Sequence, residues 1–317
     1  MILHYDHYRP GKRGRRLRAT LIPVISVVLA ACIAAFFIFR VPARLFPSAA
    51  QGRAHGKLPD LWKAGQYAAV IAAADEVLKA DPLNPSALSY RGYAAFYGAV
   101  AEGGASEERL PQLDDCIVTL RRARAAGTPY PAETDYVLAK AYFAKGKFYY
   151  DLCIRFMESS LARGYARSDS DEYIGLAAAQ LGDYEKGIAA FQRALQADES
   201  DVLLLTIGQT YYQMKRTGDA VDHLLRTLNK TDDTAIEKRA RFLLGEIYLD
   251  RGELFKAEEQ YVAIVRIDPR SADAHFFLGE VAAGMNDPIR ARAEWRAALV
   301  IDPAHYGAKL RYYSGKR

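Results

Sequence analysis

The residues able to do chemistry are few and scattered. The six histidines are His4, His7, His55, His223, His275 and His305. His4 and His7 have the spacing of two metal ligands, but a two-ligand site binds weakly, so both read as solvated side chains. Cys116 and Cys153 occupy small-residue positions in helical segments, where packing accounts for them without reactivity. Three cysteines are too few for a disulfide scaffold. Cys32 is the one cysteine whose surroundings suit a chemical role, that of a lipidated thiol. Paired carboxylates such as Glu258-Glu259 fall on exposed helix faces, where solvation explains them. The chain has no glycine-rich phosphate loop after a strand, no Gly-x-Ser-x-Gly and no His-Glu-x-x-His. The sequence therefore predicts no enzyme: no catalytic residue, no cofactor, no metal and no small-molecule substrate. What remains is the chemistry of recognition.

The charge distribution bears on where that recognition takes place. The 317 residues hold 43 Lys and Arg against 38 Asp and Glu, a formal charge of +5. Arg9, Lys12, Arg13, Arg15, Arg16 and Arg18 crowd the first 20 residues with Asp6 as the only acid, and the chain beyond is balanced. The excess is thus local to the head, which disfavours a nucleic-acid partner. Leu21 to Phe39 follows without a charge. As a helix it would extend about 28 Å, close to the hydrocarbon thickness of a bilayer. The larger basic cluster lies upstream, so the expected topology is a single-pass cell-membrane protein with a cytoplasmic amino terminus and the rest periplasmic. The stretch Leu29-Ala30-Ala31-Cys32 resembles a bacterial lipobox, the alternative being an outer-membrane lipoprotein acylated at Cys32. Residues 41–57, with two prolines and two glycines, read as a linker.

Beyond the linker the chain repeats itself. Leu244-Gly245, Ala257, Tyr261 and Asp268-Pro269 recur as Leu278-Gly279, Ala291, Trp295 and Asp302-Pro303, each 34 residues later. Gly208 with Tyr211, Ala220, Leu224 and Thr227 keeps the same internal spacing, and Gly175 with Gly182-Asp183-Tyr184, Phe191 and Ala194 makes another unit. Small residues permit close helix approach while large ones fill the space between hairpins. Asp-Pro stops the second helix of each of the last two units. Weaker units run over Ala132–Gly164, over Pro85–Gly127 with a glycine-rich insertion at Ala101–Arg109, and over Leu58–Pro82 with a first helix that looks truncated.

These motifs resemble the tetratricopeptide repeat (TPR) family, and the whole chain resembles membrane-anchored bacterial envelope TPR proteins. The resemblance implies an all-α fold, a right-handed superhelix (α-solenoid) of about seven hairpins behind an N-terminal transmembrane helix. The array would span 58–303, after the head 1–20, the membrane helix 21–40 and the linker, and 304–317 would form a capping helix and tail. It also implies a scaffold whose concave groove, lined by first helices, binds a partner protein's peptide or helix. The alternative role is a pilotin-like or secretion assembly factor. Aligning the first helices directs Tyr93, Phe96, Tyr97, Tyr136, Phe143, Tyr212, Phe242 and Phe276 to that groove. Lys140, Gln209, Gln213, Arg239, Glu246, Asp250 and Glu280 are their polar companions. The family's carboxylate clamp of lysine and asparagine is not reproduced, so apolar anchors rather than a chaperone tail fit the groove.

Overall fold

In the computed structural model, residues 49–101 and 109–314 are described, and every regular element among them is helical. The head, the apolar run Leu21–Phe39, Cys32 and most of the insertion lie outside these residues. Among the described residues no helix is long and apolar enough to cross a membrane. The chain divides into two compact units, one ending at Tyr130 and the other beginning at Pro131.

The first unit contains α1 (Ala49–Lys63), α2 (Tyr67–Ala80), α3 (Pro85–Ala101) and α4 (Leu110–Ala125), neighbours in the chain packing as neighbours in space. Helix α1 is not truncated: it begins inside the stretch expected to be a linker and continues through Pro59. Its glycines and proline are poor helix formers. Tertiary burial overrides them, because Leu58 is fully buried and Leu61 and Trp62 pack on the cluster formed by Val70, Ala74 and Val77. Arg91 of α3 ties the unit together from within. It donates to Asp75 of α2 (2.7 Å) and to Asp115 (2.6 Å) and Thr119 (3.0 Å) of α4.

The second unit begins with α5 (Pro131–Lys145), a short 3-10 turn (Lys147–Tyr149) and α6 (Tyr150–Ala162). Three further hairpins with long second helices follow: α7 (Ser170–Leu181) with α8 (Tyr184–Ala197), α9 (Asp201–Gln213) with α10 (Thr217–Lys230), and α11 (Thr234–Asp250) with α12 (Leu254–Ile267). The last pair is α13 (Ala272–Gly284) with α14 (Pro288–Ile301), and α15 (Tyr306–Ser314) closes the array where a cap was expected. With the first unit this makes seven hairpins among the described residues, the number read from the sequence.

Local chemistry sets the helix ends. Ser200, Asp233, Ser271 and Asp287 each accept a hydrogen bond from the first turn of the helix that follows, satisfying backbone N–H groups that have no helical partner. The turn inside three successive hairpins needs a left-handed residue. Gly182 and Gly252 supply it at φ +86° and +71°, but Lys215 takes the same place at φ +61°.

One packing rule recurs. In five of the seven hairpins a glycine of the first helix faces the large residue of the second, in the pairs Gly92–Leu120, Gly175–Phe191, Gly208–Leu224, Gly245–Tyr261 and Gly279–Trp295. A methyl group at any of these glycines would overlap the partner side chain. The buried residues Phe191, Leu224, Leu244, Tyr261, Ile264, Leu278 and Val281 form one continuous core along the second unit.

Candidate functional site

The fifteen partner-contact residues read from the sequence separate into three groups. In the first unit, Tyr93 and Phe96 are buried, at 6% and 3% exposure. Tyr93 packs on Trp62 (5.8 Å between centroids) and Tyr90, and Phe96 meets Tyr97 edge-on. Both serve the core rather than a groove. Tyr97 is half-buried against Trp62 and Tyr67. These aromatic neighbours fill the face that the sequence left open.

The second group begins on α5. Tyr136, also buried (4% exposed), donates its hydroxyl to Asp169 at 2.8 Å, and Lys140 Nζ donates to the same carboxylate at 2.8 Å. Lys140 also lies 4.9 Å from the Tyr173 ring centroid, and Tyr173 receives Phe143 edge-on at 5.0 Å. Burial opposes the charge on Lys140, but its hydrogen bond to Asp169 together with the contributions of Tyr173 and Tyr136 outweighs burial and raises the ammonium pKa. Burial, reinforced by the Asp169 hydrogen bond, likewise raises the Tyr136 phenol. Asp169 and Tyr173 were not anticipated. The structure brings Tyr136, Lys140 and Phe143 together, but as a self-satisfied network.

The third group lies farther along the second unit. Phe276 is half-buried against His305 (5.0 Å) and Phe277, with Gly307 of α15 directly beneath its ring. Glu280 is held by both nitrogens of an Arg311 fork, at 2.6 and 2.9 Å. The closing helix therefore occupies the last repeat's share of the face. Gln209 and Tyr212 on α9 and Phe242 and Glu246 on α11 are half-buried, while Gln213, Arg239 and Asp250 are exposed. Helices α9 and α11 touch directly, so these residues share one surface.

That α9–α11 patch has unusual electrostatics. Glu246 and Asp250 stand one turn apart on α11, and neither makes a hydrogen bond or ion pair among the described residues. Burial, then the charge of Asp250, raises the Glu246 carboxyl above its ordinary value. Burial, then Glu246 and Asp250, raises the Tyr212 phenol. Tyr261 of α12 experiences the same two carboxylates after burial and is shifted upward as well. Its ring is fully buried, stacked on Phe277 at 5.0 Å, and its hydroxyl has no hydrogen-bond partner. The missing side chain at Gly245 lets the phenol reach α11 beside Glu246: a Cβ there would lie 2.9 Å from Tyr261 Oη.

One other carboxyl resembles Glu246: Glu172 of α7 is half-buried, and burial, then the charges of Asp169 and Asp198, raise it above its ordinary value. Among the described residues no group of three or more His, Cys, Asp and Glu side chains is placed to hold a metal ion. Cys116 and Cys153 are free and buried, and burial pushes both thiols upward, away from the reactive thiolate. His275 and His305 are bound to Glu294 (2.7 Å) and Asp273 (3.0 Å).

Residues 56–97, 155–202 and 205–272 match the family model described as tetratricopeptide repeat. The chain carries tetratricopeptide repeats. Its helical hairpins are similar to those in the crystal structure of the C-terminal part of a TPR repeat-containing protein from Cytophaga hutchinsonii. That likeness has a TM-score of 0.63 at 15% identity and covers 81% of this chain and 98% of that one. They are also similar to YrrB, a TPR protein with an unusual peptide-binding site. Here the TM-score is 0.50 at 21% identity, over 59% of this chain and 92% of that one. No curated protein gives a significant sequence match. The TPR fold is thus common to these chains, and the α9–α11 patch lies on first helices of two successive TPR hairpins.

Proposed function

We propose that this protein is a non-catalytic, membrane-anchored scaffold that binds a peptide or helix of a partner protein on the first-helix face of its TPR hairpins. The observation that carries the reading is the α9–α11 patch, where half-buried aromatics adjoin polar groups with no partner among the described residues. Most of the other expected contact residues are buried, paired or covered, so binding concentrates on Gln209, Tyr212, Gln213, Arg239, Phe242, Glu246 and Asp250. Peptide binding by the similarly folded YrrB agrees with this use of the fold. Anchoring through Leu21–Phe39, with the basic head cytoplasmic and the repeats periplasmic, is proposed from the charge asymmetry. The role is then recruitment or organisation of proteins at the bacterial cell envelope.

Proximity labelling from the carboxyl terminus, with compartment-specific controls, tests both claims. Extracytoplasmic neighbours should be recovered, and Tyr212→Ala or Phe242→Ala should lose the specific ones while circular dichroism shows an intact fold. Recovery of mainly cytoplasmic neighbours overturns the topology. Neighbours retained by both folded variants overturn the site. The Leu29-Ala30-Ala31-Cys32 stretch favours a second reading, an outer-membrane lipoprotein aiding secretion assembly. An unchanged mature mass in Cys32→Ala removes it.

A further inference from the structure

From the α9–α11 patch we infer a preference within the proposed groove: it receives a cationic side chain, lysine or arginine, from the bound peptide, with Glu246, Asp250, Tyr212 and Tyr261 as its receptor. The inference rests on the groove reading above and narrows it to one ligand chemistry.

Three observations converge on it. First, half-buried acidic residues in the same repeats are ordinarily paired, whereas the exposed Asp222, Asp232 and Glu259 have no partner among the described residues. Glu237 holds Arg241 at 2.8 Å, Glu253 holds Lys256 at 2.6 Å, and Glu258 holds Arg290. Glu246 and Asp250 hold nothing among the described residues, although they repel each other one turn apart on a single helix and Glu246 is half-buried. Second, the Tyr261 hydroxyl is sealed in the core without a partner, and its charge environment is that of the same two carboxylates. A buried hydroxyl without a hydrogen bond is costly, and its oxygen is free to accept one. Third, the Tyr212 ring is half-buried beside these groups and already attracts a cation: Lys215 Nζ lies 5.6 Å from its centroid. Lys215 forms no ion pair with either carboxylate.

An ammonium or guanidinium group satisfies all of these demands at once. It relieves the repulsion between the carboxylates, lies against an aromatic face and, once the side chains that cover Tyr261 are drawn aside, donates to the stranded phenol oxygen. An anionic or purely apolar side chain meets none of the electrostatic ones. The flanking Phe242 and the stems of the two glutamines would hold the aliphatic part of a lysine or arginine.

The test uses the full chain, immobilised in detergent, and five pools of blocked thirteen-residue peptides. Each pool has uncharged degenerate flanks and one fixed central residue: Lys, Arg, Met, Gln or Glu. Retained peptide is quantified by mass spectrometry. Lys- and Arg-centred pools should be retained roughly tenfold over the Met pool, the size of one charge-assisted hydrogen bond, and the Glu pool least. The Glu246→Gln/Asp250→Asn double variant should bring that ratio near one while leaving Met-pool retention unchanged. Tyr261→Phe should lower the ratio several-fold without lowering the unfolding midpoint, since only an unpaired hydroxyl is removed. Equal retention of the Lys and Met pools by the wild type, or an unchanged ratio in either variant, overturns the cation assignment and leaves the groove standing. Retention of no pool at all overturns both.

Discussion

If glycine 245 is there because Tyr261 needs the space, the same Gly→Ala change should have opposite signs at two helical positions. At Gly245 a new Cβ would come within 2.5, 2.7 and 2.9 Å of three atoms of the Tyr261 side chain. That ring cannot swing aside freely: it is fully buried, parallel to Phe277 within 6° at 5.0 Å, and 6.2 Å from Phe242. Overpacking of this kind costs about 1–3 kcal/mol, and three close atoms on a clamped ring put the cost near the upper end. Alanine recovers up to about 1 kcal/mol of helix propensity, leaving a net loss of about 2 kcal/mol. At Gly218, in the first turn of α10, no atom lies within 4 Å of the new Cβ. There only the propensity gain applies, about 0.5–1 kcal/mol. Urea unfolding of the full chain, followed by far-UV circular dichroism, compares the variants directly. Gly245→Ala should lower the midpoint and Gly218→Ala should raise it. Tyr261→Leu, which copies the Gly208–Leu224 pair, should reduce the cost of Gly245→Ala by about 1 kcal/mol in a double-mutant cycle. A stabilising Gly245→Ala, or additive effects in the cycle, would refute the packing rule.

Three other perturbations follow from named residues. Lys215 holds the left-handed turn that Gly182 and Gly252 hold in neighbouring hairpins, so Lys215→Gly should stabilise the chain by about 0.5–1 kcal/mol in the same urea assay, relief of backbone strain outweighing the lost contact with Tyr212. Arg91→Met should cost about 1–2 kcal/mol: the bonds to Asp75, Asp115 and Thr119 are lost, but both carboxylates are already nearly half exposed and rehydrate readily. The third is a pH effect at Glu246, whose carboxyl is raised above 4.5 by burial and then by Asp250. A raised folded-state pKa gives stability that is fully present below the unfolded value and lost as pH rises through the folded one. Glu246→Gln should therefore unfold at the same midpoint as wild type near pH 4 and at a higher one at pH 7. A constant difference across that range would contradict the shift.

The hairpins were legible because their packing rule is written as a spacing: a glycine on one helix and a bulky residue on the next recur in register. Helix α1 escaped notice because Gly52, Gly56 and Pro59 carry a loop's local signals, while the burial of Leu58 that overrules them is a long-range fact. The proposed recognition face was only half legible for a related reason. Periodicity says which way a side chain leaves its helix, but not what meets it. Tyr136 and Lys140 were expected on that face and are consumed by Asp169, 33 residues beyond Tyr136. Phe276 and Glu280 were expected there too and are taken up by His305 and by Arg311 of α15.

Tyr261 was read as a space-filler because its counterparts are Phe191 and Leu224, and by volume that is what it is. The signal lay in its polar tip: of the residues that fill a glycine gap, only Tyr261 and Trp295 carry a hydrogen-bonding atom, and both atoms are buried without a partner. Their chemistry then separates the two repeats. The indole nitrogen of Trp295 can only donate, so it cannot receive a cation, and Glu280, beside Gly279, already holds Arg311. The phenol oxygen of Tyr261 can accept, and Glu246, beside Gly245, is unpaired. One shared packing geometry thus yields a closed, paired end in the last repeat and unpaired acceptors, the basis of the proposed cation preference, in the one before it.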